Sequence, residues 1–398
     1  MQITYKLKSH NWVEIIFYKK YSGLFLLFFI LLFTACQKDD KPHPGKCEEF
    51  KEADAYGKEE PTVSVFATGF NNPRGLEFGP DCHLYVAEAG LGGTNNTEDI
   101  CPEIQPGAAA GGPFLGSPTG GRISKVNAQG VRTTVTDELP TTVSQGGDIL
   151  GVADVAFIGS NLYALLWAGC SHGVPEVPNG IVKVNSDGSH TDIADIGAWQ
   201  VDHPVDVANR GEDFEPEGNP YTMIVVDNTF YVVEANQGQL LKVTTGGMVS
   251  RVVDISASQG HAVPTAIDYY HGNFYVGNLG GFPIVDGSSN IYKIRPDGQL
   301  DIAATGFTAI LGLVFDKKGR IYVLETTTGN AFPTPGTGRI VRVNLDGSRD
   351  VIATGLSNPT AMTYGPDNNL YVSNWGFGAA AGGGEVLKVR LKDVKNGY

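Results

Sequence analysis

A six-bladed, all-β propeller is the fold this sequence predicts, and three observations predict it. An aromatic strand of one kind recurs six times, a second kind of strand follows each copy, and the two ends of the repeat region hold complementary parts of one blade. The recurring strand reads LYVAE (Leu84–Glu88), LYALL (Leu162–Leu166), FYVVE (Phe230–Glu234), FYVGN (Phe274–Asn278), IYVLE (Ile321–Glu325) and LYVSN (Leu370–Asn374). Its last four tyrosines, Tyr231, Tyr275, Tyr322 and Tyr371, are spaced by 44, 47 and 49 residues. A period of that length built from short strands is the mark of a propeller blade.

The order of elements is the same around each tyrosine. A strand led by proline or glycine precedes it, as in NPRGLEFGPD (Asn71–Asp81), ILGLVFDKKG (Ile310–Gly319) and NPTAMTYGPD (Asn358–Asp367). A third strand follows, as in GRISKVN (Gly121–Asn127), GIVKVNSDG (Gly180–Gly188) and GRIVRVNLDG (Gly338–Gly347). Alternating apolar residues, β-branched side chains and Asp-Gly turns make these hairpin strands. A fourth strand, such as VRTTVTDEL (Val131–Leu139) or RDVIATGL (Arg349–Leu356), completes five of the repeats, while the sixth stops after its third. TVSVFATGF (Thr62–Phe70) has the pattern of the missing piece and stands ahead of the first repeat, so it is expected to close the ring as the outer strand of blade six. Closure removes two exposed sheet edges.

Turns between strands one and two, and between three and four, are short. The long insertions fall in the other two connections, at 89–120, 168–179, 196–222, 279–289, 326–337 and 375–383. Those connections lie on one face of an up-and-down blade, so one face is plain and the other is decorated. Loops carried on a rigid scaffold are where function concentrates. The tract GAAAGG occurs on that face twice, at 107–112 and 378–383, without the lysine of a phosphate-binding loop.

Composition narrows the partners. The formal charge is −14, and residues 36–398 alone hold 25 basic and 42 acidic side chains. That balance argues against a nucleic-acid surface, which requires a basic patch. Lys19 and Lys20 precede an apolar run, Tyr21–Ala35, which is short for a bilayer span and laid out as an export signal. Thr34-Ala35-Cys36 resembles a bacterial lipobox, which implies a lipidated Cys36. Gln37-Lys38-Asp39-Asp40 resembles the export tag of surface lipoproteins in Bacteroidota. The expected organisation is a signal peptide at 1–35, a tether at 36–60, the propeller at 61–391 and a tail at 392–398. The expected location is the outer membrane or cell surface, facing outward or into the periplasm, with the lipid as the membrane contact and the chain a monomer. Four further cysteines in an oxidising compartment suggest disulfides. Cys101 and Cys170 fall in decorated-face loops of adjacent blades, Cys82 in a plain-face turn and Cys47 in the tether, so Cys101–Cys170 and Cys47–Cys82 are the pairings expected.

Candidate chemistry follows from the same geometry. The tyrosine strands end on the decorated face at Glu88, Glu234, Asn278, Glu325 and Asn374, with Asn236 nearby. Carboxylates and amides converging from several blades would suit a hard cation such as Ca2+, while a solvated polar channel needs the same residues. First strands begin on that face with Arg74, Asp154, Asp206, Thr265, Leu311 and Thr360 or their neighbours. Arg74, Asp154 and Asp206, with Trp167 and Trp375 on the rim, form the expected ligand-binding set. His172, His203 and His261 lie in decorated loops with no metal spacing, and no GxSxG or nucleophile stands out.

The segments VFATGFNNPRGLEFGPDCHLYVAEAGLGG (Val65–Gly93) and NPTAMTYGPDNNLYVSNWG (Asn358–Gly376), with the long cysteine-bearing loop that follows the first, resemble the ScyD/ScyE family of exported bacterial proteins. That resemblance covers most of 61–390 and implies export and a six-bladed propeller rather than a particular reaction. More distantly the repeats resemble NHL-type and gluconolactonase-type propellers. The latter imply a Ca2+ or Zn2+ among channel residues, at positions such as Glu88, Glu234, Asn278 and Asn374, although a matching catalytic acid is missing here. Two functions follow as expectations. One is an exported binding protein that holds a small molecule or an envelope protein at its decorated face. The other is a metal-dependent, lactonase-like hydrolase with the cation in the channel. A quinone-dependent sugar dehydrogenase shares the blade number but would need a basic, histidine-led pocket.

Overall fold

The structure, a computed structural model, describes residues 47, 50 and 62–391. The proposed signal peptide, Cys36 and the tail at 392–398 lie outside the described residues.

Six antiparallel sheets form the six blades. Blade one holds Pro73–Phe78, Leu84–Glu88, Leu115–Val126 and Arg132–Val143, with the short strand Ile149–Leu150 added outside. Blades two to five each have four strands in simple up-and-down order, and their first strands are Val152–Ile158, Pro220–Val226, Pro264–Tyr270 and Ile310–Phe315. Blade six runs Ala361–Tyr364, Leu370–Asn374, Gly384–Arg390 and then Thr62–Phe70. The N-terminal strand therefore closes the ring, in register from Thr62 opposite Arg390 to Phe70 opposite Gly384. First strands of all neighbouring blades adjoin, including blade six against blade one.

The tyrosine strands are second in each blade and lie between two sheets, which is why Leu84–Glu88 and Leu370–Asn374 are buried at every position. Their tyrosine rings form the joints between blades. Tyr85 meets Phe157 of blade two at 4.9 Å between centroids, Tyr163 meets Phe230 at 4.9 Å, and Tyr231 meets Phe274 at 4.4 Å. Tyr275 meets Phe315 at 4.8 Å, and Tyr371 crosses the closure to Phe78 at 5.1 Å. Four of these five pairs are edge-on, a geometry worth about 0.5–1.5 kcal/mol beyond area burial. At the remaining joint Tyr322 packs with Met362, Leu370 and Val372. The hydroxyls of Tyr85 and Tyr371 donate to Asp81 and Asp367, both at 3.0 Å, and so fix the plain-face turns that begin each hairpin.

Two expectations need correction. The insertion at 89–120 is shorter than it looks in sequence, because the third strand of blade one begins at Leu115 and its ladder with the fourth strand continues to Val143. The tether is also partly docked. Cys47 is bonded to Cys82, and Phe50 is buried edge-on against Phe78 at 5.2 Å. The disulfide is one of the two pairings expected, whereas the seat of Phe50 is an addition that the low apolar content around it does not announce. The second disulfide joins Cys101 to Cys170 across the loops of blades one and two.

Candidate ligand site at the channel mouth

The first strands turn their inner faces to the central channel, which encloses a cavity of about 180 Å3. Close approach of these strands depends on small residues: a Cβ on Gly75 would fall 1.8 Å from Oδ1 of Asp154. Polar side chains at the channel tie neighbouring blades together. Asp154 of blade two accepts from Thr222 Oγ1 at 2.7 Å and Met223 N at 2.9 Å in blade three. Asp268 of blade four does the same for Phe315 N of blade five at 2.8 Å, and Thr360 Oγ1 donates to Pro73 O at 2.7 Å across the closure.

Three large side chains meet at the decorated end of the cavity: Arg74 from blade one, Trp167 just beyond the second strand of blade two, and Tyr221 from blade three. The Arg74 guanidinium lies 5.3 Å from the Trp167 ring centroid, and Trp167 and Tyr221 are tilted against each other at 5.5 Å. Arg74 Nη2 donates to Ile149 O at 2.6 Å, and its head group also bonds Tyr221. Nε of Arg74 and Nε1 of Trp167 are both buried without an acceptor. Burial depresses the arginine pKa and raises that of Tyr221. Buried donors carry a cost when unpaired, so this pair marks the mouth as a place where a ligand gains by supplying acceptors.

Of the expected ligand-binding residues, Arg74, Asp154 and Trp167 line this cavity, while Asp206 and Trp375 do not. Asp206 is exposed and caps a short turn by accepting from Ala208 N at 2.8 Å. The insertion before blade three holds a helix, Ile196–Asp202, and the blade starts only at Pro220, so Tyr221 occupies the place assigned to Asp206. Trp375 sits in a rim turn at φ 55°, with its N–H on Ser357 O.

The expected cation set is not assembled. Glu88, Glu234, Asn278, Glu325 and Asn374 are all buried, lie outside the cavity lining and face their own blades. Glu88 accepts from Asn71 N at 2.7 Å, Ser124 Oγ at 2.5 Å and Arg122 Nε at 2.8 Å. Glu325 accepts from Thr308 N and pairs with Arg339. Asn374 accepts from Ser357 N at 2.8 Å, and Asn278 bridges Ala262 O and Asn290 N. Glu234 accepts three main-chain N–H groups, from Asn219, Asn236 and Gln237. In each case the residue fastens the connection that enters its own blade. Among the described residues no three or more His, Cys, Asp or Glu side chains are grouped to hold a metal ion. These side chains therefore do not fit a channel Ca2+.

The loop histidines are structural as well. His261 pairs with Asp213 at 2.9 Å, and His203 stacks on Trp199. Ser171 Oγ lies 2.9 Å from His172 Nδ1, and His172 Nε2 lies 3.4 Å from Glu215, but all three side chains are buried and none lines the channel cavity.

Several of these groups titrate in the same direction. Burial pushes Asp154 up to about 6 and Glu234 up to about 7. His172 is disfavoured as a cation by burial, yet Glu215 and Glu217 outweigh that and raise it, and Asp213 raises His261. Every one of these folded values lies above the unfolded value, so the folded state holds the extra protons and stability falls as pH rises. The window opens above the ordinary carboxylate range and extends through neutrality. For Glu234 the effect is on the order of 3 kcal/mol. Thermal midpoints are expected to be higher at pH 5 than at pH 8, with Glu234→Gln flattening the slope. A level profile, or one that Glu234→Gln leaves intact, would refute this assignment.

No protein-family model matches the chain, and no curated protein matches it in sequence. Solved structures do resemble it. A Bacteroides thetaiotaomicron protein of unknown function aligns over 83% of this chain and 75% of its own, with 13% identity and a TM-score of 0.52. The PQQ-bound aldose sugar dehydrogenase of Streptomyces coelicolor aligns over 83% and 98%, with 13% identity and a TM-score of 0.50. A gluconolactonase from Xanthomonas campestris aligns over 83% and 90%, with 9% identity and a TM-score of 0.48. The likeness is one of six-bladed architecture, and a fold of this kind hosts many functions.

Proposed function

We propose that this protein is an exported propeller of the ScyD/ScyE type, anchored through lipid on Cys36, that binds a small ligand at the mouth of its channel. The observation that carries the reading is the juxtaposition of two buried, unpaired donors, Arg74 Nε and Trp167 Nε1, at a cavity on the loop-bearing face. Two disulfides among the described residues support an oxidising compartment. The proposed setting is the outer membrane or cell surface, as a monomer with no nucleic-acid partner. A lactonase-like hydrolase would need a carboxylate free to act as base or to hold a cation. Asp154, the buried acid beside the mouth, is instead spent on Val155 N, Thr222 and Met223 N.

The test is thermal-shift screening of the full chain with monocyclic metabolites, beside a lactone-hydrolysis assay with and without Ca2+. Ligand-induced stabilisation that weakens in Trp167→Phe is the expected result. Calcium-dependent lactone turnover without such stabilisation would replace this reading with the hydrolase. Labelling with a palmitate analogue, abolished in Cys36→Ser, checks the anchor.

A further inference from the structure

We infer that the ligand at the channel mouth is a small monoanion, a carboxylate carried on a single ring. This rests on the ligand-binding reading above and names the chemistry of its occupant. Arg74 is 7% exposed, and among the described residues it forms no ion pair. Its acceptors are neutral: the Ile149 carbonyl and the Tyr221 hydroxyl. A buried cation without a carboxylate is costly and is ordinarily found paired. Of the less deeply buried arginines, Arg122 is matched by Glu88 and Arg320 by Asp316. Arg74 is the most deeply buried arginine among the described residues, and it stands where a cavity opens.

Charge and size narrow the class. Arg74 senses the carboxylate of Asp148, which sits exposed on the loop ahead of Ile149. One guanidinium with an acid already in its field can offset a single negative charge, so a dianion such as a phosphate monoester is disfavoured. The cavity, about 180 Å3 over the whole length of the channel from Arg74 to Phe78, sets one ring as the upper limit, since roughly 150 Å3 accommodates one benzene. Trp167, Tyr221 and Leu311 supply an aromatic and apolar wall on which a flat ring can lie. Arg74 Nε would meet one carboxylate oxygen, as charge-assisted bonds to arginine favour. The indole N–H of Trp167 stands beside it as a second donor.

Benzoate and its neutral counterpart benzamide separate the alternatives, because they share a ring and differ in charge. Isothermal titration of the full chain is expected to show benzoate binding at least tenfold more tightly than benzamide. In Arg74→Gln that preference is expected to disappear, with benzoate affinity falling to the level of benzamide. Asp148→Asn alters an exposed side chain and leaves Arg74 in place. It is expected to tighten benzoate several-fold and leave benzamide unchanged, which keeps the test available should Arg74→Gln fail to fold. Equal binding of the two compounds, or a preference that survives Arg74→Gln or ignores Asp148→Asn, overturns the anion while leaving a small-ligand site standing. Binding of neither compound overturns both.

Discussion

A chain lacking Thr62–Phe70 is expected to yield no soluble monomer. The deletion removes the outer strand of blade six, leaving Gly384–Arg390 as an unpaired edge across seven paired positions. It also removes Phe70, fully buried, whose packing is worth about 2 kcal/mol. Main-chain hydrogen bonds of the ladder contribute about 1 kcal/mol each, net. Together these approach the roughly 5–15 kcal/mol by which a domain is stable at all. The exposed edge then offers a template to a second copy. Size-exclusion chromatography and circular dichroism of the deletion variant provide the check. A monomer with a cooperative thermal transition would show that the ring does not depend on this strand.

Glu88→Ala is expected to be the most damaging single substitution outside the apolar core. It strands the Arg122 guanidinium, the Ser124 hydroxyl and the Asn71 N–H together, in a setting where the carboxylate itself is fully buried. Breaking a buried pair by removing one partner costs roughly 3–5 kcal/mol. Replacing both charges, as in Glu88→Leu with Arg122→Met, is expected to recover most of the loss. Urea midpoints of wild type, single and double variants measure this directly. A single-variant loss below about 1 kcal/mol, on the scale of an exposed ion pair, would show that the carboxylate is not a clamp.

The repeat and its closure were legible because they rest on local pattern. Tyr85 and Tyr371 sit in strands whose length and composition recur, and Thr62–Phe70 matches the fourth strands it replaces. Cysteine pairing followed once each loop had been given a face. The role of the strand-end acids was not legible in the same way. Position in a repeat shows that Glu88 and Glu325 come to the decorated face, but not whether they turn to the channel or to their own hairpin. A signal for the second outcome was present: Arg122 and Arg339 each follow a glycine at the start of the next strand and stand directly across from those glutamates. Cross-strand charge pairs of that kind announce an internal partner. Tyr221 was hidden by the insertion before blade three, whose helix no repeat pattern foretells. Arg74 and Trp167 were visible as candidates, but the absence of an acceptor for Arg74 Nε and for Trp167 Nε1 is a three-dimensional fact.

The Cys47–Cys82 bond lends the closing strand a property that its hydrogen bonds do not. Thr62–Phe70 runs directly into blade one at its C-terminal end, and the disulfide ties the chain ahead of it to blade one as well, across 35 residues. A strand detached from Gly384–Arg390 would remain inside a covalent loop, held at a high effective concentration beside its own edge. Re-pairing then outcompetes capture of that edge by another molecule. In a reducing solution the same strand keeps its pairing but loses the leash, so transient openings last long enough for exchange between copies. The bond thus acts as a guard against strand swapping, a hazard for any ring that is sealed by one terminal strand.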